Sequence, residues 1–114
     1  MDAARLRRRE DIAAVRSEGL GMQHRFFAMR SRPNGSAVMR LAVAAPRSLG
    51  RATKRNRVRR RVREAFRLEI AALDRVAPAH DLLVVVRATA EDAPAPALRE
   101  AAQAALRTVG GTAR

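Results

Sequence analysis

The stretch KRNRVRRRVREAFR, Lys54 to Arg67, holds eight cationic side chains in fourteen residues against a single acid, Glu64. Guanidinium groups at this density suit one kind of chemistry. Each planar fork donates two parallel hydrogen bonds to a phosphate and stays charged at any physiological pH. A chain that only had to fold would avoid the arrangement. Like charges four apart on a helix repel by roughly 0.2–0.5 kcal/mol per pair, and cations at a helix start oppose the macrodipole. At 3.6 residues per turn, Asn56, Arg60, Arg63 and Arg67 share one side, flanked by Arg57 and Arg61 on one hand and Arg59 on the other. Asn56 adds a neutral amide that both donates and accepts, suited to a sugar hydroxyl or a base edge, while the arginines neutralise phosphates.

No other constellation competes with this one. His24 and His80 stand alone, and no nucleophile, base and orienting group come together, so no catalytic residue is assigned. Cysteine is absent, which removes disulfides and thiolate metal sites. Carboxylates are scarce in the basic half, so a protein-held metal cage is not expected. The whole chain carries 24 basic and 11 acidic residues, a net charge of +13. Residues 1–68 account for +14 and residues 69–114 for −1. Charge placed in this way points to a polyanionic partner, nucleic acid before an anionic membrane surface. Arginine outnumbers lysine 23 to 1, but alanine and arginine make up 48 of the 114 residues. That bias fits a GC-rich genome, so the weight rests on the charge rather than on the choice of arginine.

Elements must hold these side chains in place. Val58, Val62, Ala65, Phe66, Ile70 and Leu73 form one apolar stripe on a helix running to about Leu73, with Thr53 as its expected N-cap. Leu6, Ile12 and Val15 give a short first helix that stops near Gly19 and Gly21. His24–Ser31 and Ala37–Ala45 read as a hairpin around the turn Arg32–Ser36. Asp81–Ala88 reads as a buried strand, and Pro96–Thr108 as a last helix. Three or four strands with helices on one face make a single α+β domain spanning 1–114. The longest apolar run, Leu82–Val86, is too short to cross a bilayer. No secretory signal is evident, and a cytoplasmic location is expected.

The Lys54–Arg67 segment closely resembles the Arg-rich helix of the bacterial ribonuclease P protein subunits, whose pattern KRNR-x-(R/K)RR-x-RE-x-FR it fills at nearly every position. RLRRREDIAAVRSEG (Arg5–Gly19), HRFF (His24–Phe27) and DLLVVVRATA (Asp81–Ala90) resemble the family's first helix, first strand and last strand. The resemblance implies a fold like the second domain of ribosomal protein S5, a small mixed sheet with a left-handed βαβ crossover. It also implies a division of labour. A catalytic RNA with Mg2+ removes the 5′ leader of precursor tRNA, and the protein binds that RNA and the leader without holding a cofactor itself. Carried over by position, the RNA-binding residues are Arg47, Arg55, Asn56, Arg57, Arg59, Arg60, Arg63 and Arg67. The leader cleft would use Ile12 and Arg16 on the first helix, and Phe26, Ala28 and Arg30 on the first strand. Ala42 and Ala44 on the second strand and Val84 and Val86 on the last would complete it, leaving Phe27, Met29, Leu41 and Val43 for the core. Ile12, Arg16 and Arg30 stand where many members carry aromatics. Pro46-Arg47-Ser48 replaces Ser-Lys-Lys before the glycine loop. The alternative is a non-enzymatic RNA-binding protein of ribosomal type. Oligomeric state is left open.

Overall fold

The computed structural model describes residues 3–73 and 78–109. Its elements run β1 (Ala4–Arg5), α1 (Arg9–Glu18), β2 (Leu20–Gln23), β3 (Phe27–Pro33), β4 (Arg40–Ala44), α2 (Ala52–Ala71), β5 (His80–Val86) and α3 (Ala95–Leu106). The five strands form one mixed sheet in the order β1-β4-β5-β3-β2. β1 and β5 each pair parallel with β4, while β3 pairs antiparallel with β5 and β2 antiparallel with β3. Two parallel neighbours, β4 and β5, are thus joined through α2, so the arginine helix is itself the crossover.

The expected hairpin is corrected, since β5 lies between β3 and β4 in the sheet. Sequence periodicity also missed β1 and β2. β1 is two residues long, and Gly19 and Gly21 mask β2 as a stop signal. Gly19 is needed for close approach: a Cβ there would meet the Val15 carbonyl at 2.5 Å and the Ser31 carbonyl at 2.8 Å. α2 also starts two residues earlier than Thr53 would set it. Its N-cap is Arg51, without a side-chain cap. The preceding 3-10 turn Arg47–Leu49 ends at Gly50, whose φ of 116° only glycine adopts cheaply, and this turns the chain into the helix.

The sheet is covered on both faces, not on one. α2 and α3 cover the larger core, where Phe27, Met29, Leu41, Val43, Leu82, Val84 and Val86 meet Val58, Val62, Phe66 and Ile70. Phe66 packs edge-on to Phe27 with ring centroids 5.2 Å apart, an arrangement that aromatic quadrupoles favour. α1 lies on the opposite face over a smaller cluster, Leu6, Val15 and Leu83, with Ile12, Ala42 and Val85 at its margin. Polar contacts hold α1 there. Asp81, 3% exposed, accepts from Arg40 at 2.6 and 2.7 Å and from Asn34 at 2.9 Å, and Arg40 also reaches Asp11 of α1 at 3.3 Å. Asp81's hydrogen bonds, more than its charge, push the Arg40 pKa up.

Candidate nucleic-acid interface

α2 is anchored by its stripe: Val58, Val62, Ala65, Phe66 and Ile70 are all buried, as their spacing predicts. Twenty residues make a rod of about 30 Å. With no acid in its first turn and no side-chain cap, its positive N-terminal end stands open to an anion.

Around the rod the cations divide into three sets. On the flank towards the 88–93 loop, Glu91 binds Lys54 at 3.1 Å and Arg57 at 3.2 Å. Arg61 donates there to the carbonyls of Ala90, Glu91 and Ala93. On the outward side, Arg60 is exposed with no partner among the described residues, and Arg67 pairs with Glu64 at 2.6 Å. On the flank towards β1, Arg55, Arg59 and Arg63 form a row at i, i+4 and i+8, all half-buried. No carboxylate among the described residues faces this row. Arg59 donates to the Asn56 side chain. The Nε atoms of Arg55 and Arg63 are buried without a hydrogen-bond partner. Burial, reinforced by the charges of Arg5 and Arg59, pushes the Arg63 pKa down. Three guanidiniums in one row, with no counter-ion among the described residues, are arranged so that they could receive an anion. Arg5, on β1, joins them, and nothing in the periodicity marked it.

On the other face of the sheet lies a groove of about 390 Å³ at the ends of β4 and β5. Ala28 and Val85 form part of its floor, and Pro46, Ser48 and Leu49 of the turn before α2 form one wall. Arg47, exposed, stands beside that wall.

The family model described as Ribonuclease P matches residues 1–110. This chain belongs to the ribonuclease P family. A ribonuclease P protein component from Roseiflexus sp. is 34% identical over 109 residues, covering 95% of this chain and 87% of that protein. One from Thermotoga maritima is 41% identical over 63 residues, 55% of this chain and 54% of its own, so that match spans about half the relative's length. The solved RNase P protein from Thermotoga maritima superimposes with a TM-score of 0.80 at 30% identity, across 94% of this chain and 98% of that one.

The structure redistributes the cleft residues that the ribonuclease P resemblance implied. Ala28 borders the 390 Å³ groove. Ala44 is half-buried and pairs with Val85 in the register. Ile12 and Ala42 pack at the margin of the α1 cluster, and Arg16 is exposed. Val84 and Val86 are corrected: both belong to the core under α2 and α3, although Val86 also touches the groove's edge. Leu83 and Val85 take the α1 face instead. β5 is the central strand, buried on both sides, so its apolar run carries no alternation from which parity can be read.

Arg30 is corrected as well. Its guanidinium donates to the Val15 carbonyl at 3.3 Å and to the Gly19 carbonyl, closing the C-terminal end of α1. There it adds a cationic donor to the helix-end carbonyls and complements the dipole. Phe26 lies just before β3 and is buried, with the Arg25 guanidinium 4.9 Å from its ring centre. Its amide donates to His24 Nδ1 at 3.2 Å, and burial, then Arg25, pushes the His24 pKa down. Both favour the neutral ring that accepts this bond. Among the described residues no helix is long and apolar enough to cross a membrane.

Proposed function

We propose that this chain is the protein subunit of a ribonuclease P holoenzyme, binding the catalytic RNA and the 5′ leader of precursor tRNA in the cytoplasm. The acid-free row of Arg55, Arg59 and Arg63 beside Arg5 carries this reading. It supplies half-buried guanidiniums that no carboxylate among the described residues pairs, on a rod anchored by its apolar stripe. Phosphates of the catalytic RNA would enter this row and meet Arg60 and Asn56 on the outward side. The leader would lie in the groove floored by Ala28 and Val85, with Arg47 at its wall and Arg16 exposed on α1. Small side chains there admit a strand without selecting its bases by stacking.

Hydrolysis would belong to the RNA, whose magnesium ions activate water and stabilise the leaving oxygen. The donor set of the chain agrees with that assignment. Magnesium takes oxygen ligands, yet Glu64, Glu69 and Glu91 are each paired with cations. Among the described residues no three histidines or carboxylates converge. The protein's part is electrostatic, lowering repulsion between two RNAs and holding the scissile phosphate in place.

Reconstitution tests this directly. At low magnesium the purified chain should stimulate cleavage of a precursor tRNA by the catalytic RNA. Tight RNA binding with no stimulation would favour an RNA-binding protein outside ribonuclease P. Cleavage by the chain alone, without RNA, would overturn the division of labour.

A further inference from the structure

Between α2 and α3, on the side away from α1, lies a groove of about 330 Å³ that shares only Arg60 with the RNA surface proposed above. Its floor is apolar: Ala65 and Leu68 from α2 face Ala95 and Leu98 from α3. Its rim is charged, but most of that charge is already engaged. Arg61 is held by three carbonyls, Arg99 by Glu69 at 2.7 Å, and Glu64 by Arg67. Arg60 alone on the rim is exposed and without a partner among the described residues.

A phosphate by itself has no use for an apolar floor, and an apolar chain has no use for a free guanidinium. The volume lies at the low end of the roughly 300–1,000 Å³ of small-molecule sites. A flat ring that carries a phosphate satisfies both features. We propose that this groove seats one unstacked nucleobase of a bound RNA, with Arg60 holding the adjoining phosphate. The proposal rests on the RNA-binding reading above for the source of the base. It adds a contact to bases on a helix otherwise furnished for phosphates.

Methyl NMR of the full chain tests it with three probes: adenosine 5′-monophosphate, ribose 5-phosphate and inorganic phosphate. The nucleotide should shift the Leu68 and Leu98 methyls at millimolar concentration, and the two base-free probes should not. Arg60→Gln should weaken the nucleotide about tenfold, the loss expected for one charge-assisted contact. Ala95→Leu, at an exposed position, should fill the groove and abolish the shift. If Ala95→Leu melts early, Arg60→Gln decides the same question on an exposed side chain. Equal shifts with ribose 5-phosphate, or none with the nucleotide, would overturn the proposal. So would shifts that follow protein concentration alone, which would make the groove a contact between two copies. Loss of RNA binding altogether would remove the function proposed above and leave the nucleotide result to stand by itself.

Discussion

On one flank of α2, Lys54, Arg57 and Arg61 are bound by Glu91 and the carbonyls of the 88–93 loop. On the other, Arg55, Arg59 and Arg63 form a row in which Arg63 feels the charges of Arg59 and Arg5, and no acid among the described residues pairs with it. The two flanks look alike in sequence, three cations each at similar spacing. One set closes the fold and the other is left wanting an anion. Arginine density alone therefore does not identify a binding surface; the position of the nearest carboxylates does.

Removing the rod's anchor should have the largest effect. Phe66→Ala should destabilise the protein by about 3–5 kcal/mol in chemical denaturation, the usual cost of deleting a buried ring. The Arg55–Arg63 row should then lose RNA binding as the opposite flank loses its hold on the 88–93 loop. If binding survives at full affinity in that variant, the anchored rod is not what organises either flank.

Arg61→Ala comes next and should separate the flanks. It removes the guanidinium that ties α2 to three loop carbonyls, so stability should fall by about 1–3 kcal/mol, while the salt dependence of RNA binding barely changes. A flattened salt dependence with unchanged stability would reverse the roles assigned here.

Arg59→Ala and Arg63→Ala should do the opposite. Each should flatten the plot of log affinity against log salt by about 0.9 for a duplex contact or 0.7 for a single strand. Unchanged slopes in both would take the row out of the interface. The smallest effect belongs to Glu91→Gln. Its ion pairs are partly exposed, so stability should move by less than about 1 kcal/mol. With Lys54 and Arg57 released, the salt dependence should steepen.

How much of this was legible in the sequence differs by element. The stripe from Val58 to Ile70 and the split of β3 and β4 into Phe27, Met29, Leu41 and Val43 inside and Ala28, Ala42 and Ala44 outside followed from spacing. They did so because those segments alternate between two unlike surroundings. β5 does not alternate, since both its faces are covered, and so Val84 and Val86 were assigned to the wrong side. Arg30 and Arg61 were unreadable for another reason. An arginine that closes a helix end or a loop has the same local pattern as one that waits for phosphate, and only the fold brings the accepting carbonyls to it. Glu69 is hidden likewise: a single acid on the apolar stripe, buried and paired with Arg99 across the helix pair.

β5 is a floor with a room on either side, its odd-numbered residues lining one and its even-numbered residues the other. Substitution there has no harmless direction: widening Leu83 disturbs the seat of α1, and trimming Val84 loosens the bed of the arginine rod. Tolerance to change should thus be lowest along this strand and highest in the exposed loop of Gly35 to Ala37 between β3 and β4, which bears on neither room.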